Sequence, residues 1–303
     1  MKVKSWIIGT LAAGILATGG LWYCVHTQNF MERAGEEVSS LAAQALGSDV
    51  TVDAIEVNSL QDIKLHNLAI YDKQAELIAR ADSARVSFRL LAAVSDPADA
   101  IQEITVQGLS AVLAQRADGT WNVEDLVSGE KSSQEFHGKI LVEDAQVLLR
   151  SQGQELQLAD LSAAVDCADY PVYKAEFAAR HQETTVSGTA TISDARQIVN
   201  ARVNGFAIKE YLHFIPAGLI PENVEIKDGL IESADIHVYN RGNDLSFSGE
   251  AELSGGKVNV EGTDIENISG HAAFTNEEAL LNVNAEAAGQ QINVHGKIKH
   301  LLT

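Results

Sequence analysis

Two cysteines in 303 residues, Cys24 and Cys167, supply no disulfide framework, and four prolines with 6% aromatics do not describe a disordered or fibrous chain. Basic residues are also scarce, with 22 Lys and Arg against 42 Asp and Glu and a formal net charge of −20. Such a surface argues against nucleic acid and offers no attraction to anionic lipid head groups. Its ordinary role is to keep a β-rich protein in solution.

Catalytic patterns are missing too. G-x-S-x-G, H-E-x-x-H, G-x-x-x-x-G-K-[ST] and G-x-G-x-x-G do not occur. The nine histidines are scattered, and His295 and His300, five apart, fall on opposite faces of a strand and cannot chelate. Glu36-Glu37 and Glu277-Glu278 sit in polar segments, where solvated charge explains them. Asp144, Asp160, Asp166 and Asp169 read as strand-end and turn residues rather than metal ligands. The expectation is a protein that is not an enzyme and holds neither metal nor cofactor.

What is present begins with an apolar, uncharged run from Trp6 to Val25, preceded by Lys2 and Lys4. About 20 residues at 1.5 Å each make a helix of ~30 Å, the thickness of a bilayer's hydrocarbon core. The run exceeds a signal-peptide core and closes on Trp22 and Tyr23, which suit the membrane interface. Leu21-Trp22-Tyr23-Cys24 puts a bulky aromatic where a lipoprotein cleavage site wants a small residue. Residues 1–29 are therefore expected to be a cytoplasmic tip and an uncleaved single-pass anchor. The flanking lysines keep the tip cytoplasmic and the body outside. About 275 residues follow, room for two ordinary domains or one extended one.

Phe30 to Leu46 carries apolar residues at near-helical spacing and ends at Gly47. From Val50 the period becomes two. Val50 and Val52 lead to Ile55 and Val57 with a slip near Ala54. Ile63 and Leu65 lead to Leu68 and Ile70, followed by Tyr71-Asp72-Lys73. Further strands pass through Ala84, Val86, Phe88 and Leu90, then Ile104 and Val106, then Leu109, Ala111 and Leu113. Leu90 to Val94 reads as a helical turn. Asp118-Gly119 is a turn dipeptide, Trp121 is placed to plug a sheet end, and Asn122 is expected to cap a short helix over Val123 to Val127. Ser128 to Glu135 is polar and patternless, a linker or loop.

Beyond it, long strands alternate one apolar and one polar face, through Leu245 to Leu253, Leu281 to Ala287 and Ile292 to Ile298. One short helix, Lys209 to Phe214, interrupts them before Pro216. A one-sided sheet must bury its apolar face against something. A second sheet, closure into a barrel or solenoid, and a groove filled by ligand all satisfy that need. Periodicity alone favours the sandwich or solenoid core.

The order of anchor, short helix, VTVDAIEV, IKLHNLAIYD, LIARADSARVSFRLL and ITVQGLSAVLAQRADGTWNVEDL resembles the start of the AsmA-like superfamily. Within it the likeness is to the TamB-like inner-membrane subunits of translocation and assembly modules. Arg116, Asp118, Gly119, Trp121, Asn122 and Leu126 match that family's structural signature. The likeness covers Lys2 to about Leu126 and extends to Thr303 in style only. It implies residues 30–129 as an α+β segment of the AsmA/TamB kind. It implies 136–303 as an elongated antiparallel-type β-groove (taco- or solenoid-like), the first part of a longer one. The expected fold is thus mainly β, with a transmembrane helix and a few short helices.

The resemblance further implies a body in the periplasm of a double-membraned bacterium, carrying phospholipid between inner and outer membranes. An outer-membrane partner of the BamA-like kind would be met through a C-terminal continuation. Acyl chains would lie against Leu245, Phe247, Leu253, Val258, Val260, Leu281, Val283, Ile292, Val294 and Ile298. The alternative is a scaffold that aids outer-membrane protein insertion or secretion without conducting lipid.

Overall fold

The computed structural model describes residues 49–59, 61–72, 74–89, 101–116, 118–123, 137–151, 153–212, 220, 223–242 and 244–299. The expected anchor, the helix over Phe30–Leu46, the turn at Leu90–Val94 and the Ser128–Glu135 segment lie outside them. No helix among the described residues is long and apolar enough to cross a membrane.

The described chain is mainly β, with fifteen strands in one large, antiparallel-dominated sheet. Two compact units divide between Phe177 and Ala178. The first holds β1 (Val50–Ser59), β2 (Asp62–Tyr71), β3 (Leu77–Phe88), β4 (Ile101–Gln107), β5 (Ser110–Ala114), β6 (Lys139–Ser151) and β7 (Gln154–Asp166). β8 (Tyr173–His181) crosses the boundary. The second holds β9 (Thr184–Ile192), β10 (Gln197–Ala207), α1 (Ile208–Tyr211), β11 (Val224–Arg241), β12 (Asp244–Val260), β13 (Thr263–Thr275), β14 (Glu278–Ala287) and β15 (Gln290–Lys299). The strands expected from Val50 onward are present, and the third begins at Leu77, before the apolar run that signalled it.

In the first unit β1 to β4 pair antiparallel in order. β4 and β5 then pair parallel to successive halves of β6. One long strand thus receives two short ones, which are separated by Gly108 at φ 65°.

Most slips in the apolar pattern share one backbone cause, and the slip near Ala54 in β1 lies opposite one of them, at Asn67 of β2. In β2 the apolar phase jumps from Leu65 to Leu68 across Asn67, whose φ is 51°. The same four-residue unit recurs as Val106-Gln107-Gly108-Leu109, Val142-Glu143-Asp144-Ala145 and Leu158-Ala159-Asp160-Leu161 in the first unit. In the second it recurs as Val203-Asn204-Gly205-Phe206 and Ile265-Glu266-Asn267-Ile268. Each has a left-handed residue third, and only Gly, Asn and Asp fill it. These are the residues that tolerate positive φ. Asp144 and Asp160 are therefore mid-strand residues of β6 and β7, a correction to their reading as strand-end and turn positions.

The left-handed residue absorbs the odd position, so apolar side chains before and after it point into the same interior. Val52 and Leu68, beyond the slip, pack on the same core as Ile55, Ile63 and Leu65. That core continues through Ala84, Val86, Phe88, Ile101 and Cys167, with Ile104, Val106, Ile140 and Val165 against it. Leu65, Ile78 and Ile101 are at most 2% exposed. Each such side chain contributes about 1.5–3 kcal/mol by leaving water. At Gly108 a side chain would collide with that of Asp82 on the neighbouring strand, so glycine is required there twice over.

Replacing Asn67 by Gly should leave stability within about 0.5 kcal/mol, whereas Asn67→Val should cost about 1–3 kcal/mol, read from urea denaturation. Cys167 gives a pH test. Burial, and secondarily the charge of Asp166, push its thiol from the ordinary 9.0 up to about 11. The neutral thiol is favoured in the fold, so its contribution is full below pH 9 and lost as the pH rises toward 11. The stability difference between the parent and Cys167→Ala should shrink over that window.

Candidate functional site

The register of the second unit decides which side chains share a face, because residues directly opposite in an antiparallel pair lie on the same side. Ile231, Leu253, Gly270, Val283 and Val294 form one row across β11 to β15. Ala251, Ala272, Leu281 and Gly296 form the next, and Gly249, Phe274, Ala279 and Ile298 the one after. Phe247 and Leu245 continue along β12 at alternate positions, and Ile292 lies opposite Ala285. Val258 pairs with Ile226 and Ile265, with Val260 two residues on.

The register therefore brings all ten residues, Leu245, Phe247, Leu253, Val258, Val260, Leu281, Val283, Ile292, Val294 and Ile298, onto one apolar face. Leu253 and Val258 are five apart, an odd spacing. The irregularity at Gly255-Gly256, with Gly255 at φ 59°, restores the face.

Packing on this face differs from that in the first unit. Among the described residues of the second unit, the buried apolar side chains are alanines (190, 234, 279 and 285) and Tyr211. No leucine, isoleucine, valine or phenylalanine there is fully buried. Leu245 is 59% exposed, Ile298 48%, Val294 40% and Ile292 39%. Small residues in the rows produce local relief. The Phe274 ring lies over Gly249, where a side chain would meet it, and its centroid is 6.3 Å from that of Phe247. At one end of β9 and β10, Tyr211 of α1 stacks on Phe206 at 4.2 Å and donates its hydroxyl to Thr184 Oγ1 at 3.1 Å.

The opposite face carries a ladder of polar pairs, with Leu230, Tyr239 and Leu280 also exposed on it. Arg202 grips Asp235 through two hydrogen bonds of 2.8 and 2.7 Å, and the hydrogen bond from Arg202 holds that carboxyl below its usual range. Lys227 pairs with Asp264 at 2.7 Å, and Lys257 with Glu266. A concavity of about 600 Å³ opens on this side, among Arg202, Asp235, His237, Glu250 and Leu280. Its charged walls suit water rather than an acyl chain. The described residues contain no group of three or more His, Cys, Asp or Glu able to hold a metal ion.

The signature residues form a separate structural knot in the first unit. Asp118 Oδ1 accepts the Thr120 N–H at 3.0 Å and the Thr120 hydroxyl at 2.6 Å, while Gly119 takes φ 86°. Gln115 bridges to Trp121. Asn122 is buried, and its carboxamide turns back onto β5. Oδ1 accepts from Ala114 N at 3.0 Å and Nδ2 donates to Val112 O at 2.7 Å. Both ends of the amide thus serve the sheet, while the backbone N–H groups that Asn122 was expected to cap lie outside the described residues. Leu126 and most of the expected helix lie outside the described residues.

Arg116 reaches Asp72 Oδ2 at 3.3 Å and Gln74 Oε1 at 3.0 Å. The Asp72 carboxylate, 3% exposed, also accepts the N–H groups of Gln74 and Glu76 at 2.9 and 2.8 Å. Arg116 thus ties the turn after β5 to the turn after β2. Sequence reading placed Asp72 only in the segment that ends the second strand, because its partner lies 44 positions away.

Comparison with protein-family models, with curated proteins and with solved structures finds no match in any of the three.

Arg116→Ala should destabilise the chain by about 1–3 kcal/mol in urea, because it strips a buried carboxylate of its counter-ion. Arg202→Ala, at an exposed pair, should change the midpoint little. Equal effects would contradict this assignment.

Proposed function

We propose that this chain is an AsmA-like cell-envelope protein that carries phospholipid acyl chains along the apolar face of its second unit. The observation that carries this reading is the contrast between the units. The first buries a core of large apolar side chains, whereas the second aligns apolar side chains on one face, buries none larger than alanine there and leaves Leu245, Ile292, Val294 and Ile298 exposed. Transferring acyl chains onto such a surface gains about 25 cal/mol per Å² of apolar area removed from water. The stripe repeats from strand to strand in rows of similar chemistry, so a chain can shift by one row without meeting a polar barrier. Head groups stay in water at its margins.

In this reading the Trp6–Val25 run anchors the body in the inner membrane and the body lies in the periplasm, as a taco- or solenoid-like groove. The likeness at Arg116, Asp118, Gly119, Trp121 and Asn122 supports the family, as does the knot these residues form. A longer conduit would deliver lipid to an outer-membrane partner of the BamA-like kind.

Leu253→Asp and Val283→Asp place a charge in the row from Ile231 to Val294, where desolvating it opposes acyl contact. Transfer of labelled phospholipid between vesicles should fall at least about tenfold for either variant, and phospholipid seen by native mass spectrometry should be lost. Asn282→Asp, on the polar face of the same strand, should leave both intact. Charged variants that transfer lipid like the parent would sink the conduit. A lipid-free parent that binds unfolded barrel strands would favour the scaffold.

A further inference from the structure

The apolar face of the second unit ends at two margins, one at each end of its strands. At one margin the outermost paired row is Ile192, Gln197, Asn240 and the exposed Leu245. At the other it runs from Val224 through Val260 to Thr263. Neither row contains a charge. The charge that a head group meets there must come from the turns just beyond.

Those turns differ between the margins. At the Leu245 margin they join β9 to β10, β11 to β12 and β13 to β14. Arg196 closes the first, Arg241 and Asp244 flank the second as direct partners, and Glu277 sits in the third. All four are exposed, and none is in an ion pair with another described residue. Cations deeper in the strands, such as Arg202 and Lys257, are by contrast already paired with carboxylates. At the other margin the turns between β8 and β9, β12 and β13, and β14 and β15 carry Glu183 and Glu261 but no lysine or arginine.

Arg196, Arg241 and Asp244 stand one residue beyond the last apolar row, so each starts on the polar side of the rim. A guanidinium on its flexible stem reaches over a strand end while the stem stays against apolar surface. The Leu245 margin thus presents free charge of both signs beside an exposed apolar edge. A head group that itself carries both signs complements it, with its phosphate on the guanidinium groups and its protonated amine on the carboxylates. An anionic head group satisfies the arginines and leaves Asp244 and Glu277 facing more negative charge.

We propose that the apolar face takes zwitterionic phospholipid, with a phosphate and an amine, in preference to anionic phospholipid. Its head groups ride at the Leu245 margin, against Arg196, Arg241, Asp244 and Glu277. This inference rests on the lipid-carrying reading of the same face.

The test gives the full-length chain donor vesicles of equimolar phosphatidylethanolamine and phosphatidylglycerol, and acceptor vesicles of phosphatidylcholine. Both lipids leave the same surface, so once transfer without protein is subtracted only the chain sorts them. At ~20 mM salt phosphatidylethanolamine should arrive about threefold enriched, with the ratio falling toward one at ~0.5 M. Asp244→Asn with Glu277→Gln should abolish the enrichment. Arg196→Gln with Arg241→Gln should slow both lipids about threefold, since both carry phosphate. Glu183→Gln with Glu261→Gln, at the other margin, should change neither rate nor ratio. All six side chains are exposed, so these variants should fold as the parent does. Equal arrival of the two lipids in the parent, or carboxylate variants of the two margins behaving alike, would overturn the head-group assignment and leave the conduit standing. Transfer of neither lipid would remove both.

Discussion

A strand has a period of two, and a bent sheet that keeps one side dry must sometimes break it. This protein breaks it with a residue in the left-handed region, placed just before the apolar side chain that resumes the pattern. The device costs backbone strain unless the residue is Gly, Asn or Asp, and these alone fill the position in β2, β6, β7, β10 and β13. Without it, every side chain beyond the slip would change face, and the core through Leu65 and Leu68 would divide between the two sides of the sheet. The parallel docking of β4 and β5 on β6 depends on the same conformation at Gly108.

The two units apply this geometry to different ends. In the first, branched and aromatic side chains from facing strands fill the interior, and burial reaches Leu65, Ile78, Phe88 and Ile101. In the second, alanine and glycine occupy many inward positions of the rows, as at Ala251, Ala272, Gly270 and Gly249. Small residues cannot fill a core, but they allow a surface to stay smooth between larger ridges. The polar face stabilises the same strands by another route, through cross-strand pairs such as Arg202 with Asp235 and Asn284 with Asn293.

Much of this was legible in the sequence because it is periodic. The strands, the common face of residues 245 to 298 and the slips at Ala54 and between Leu65 and Leu68 all follow from spacing. The cause of most slips was within reach too, since outside β1 Gly, Asn or Asp recurs two residues after one apolar position and one before the next. Asp144 and Asp160 escaped because aspartate is far commoner in turns, and composition alone does not separate the two uses. The Arg116–Asp72 contact and the inward turn of Asn122 were out of reach for another reason. Each joins segments that local pattern leaves unrelated, and nothing in the spacing points Asn122 back to β5.

The simple strand order of the second unit has a consequence for assembly. From β9 to β15 every strand pairs with the one made just before it, and all but the β10–β11 connection, which carries α1, are short loops. Such a sheet can lengthen as the chain emerges, with each finished hairpin serving as the template for the next strand. The first unit begins in the same way from β1 to β4, but β6 must then return alongside both β4 and β5 before its core is closed. Closing that core costs more chain entropy than adding a hairpin-connected strand to the second unit, whose order lets it extend one strand at a time.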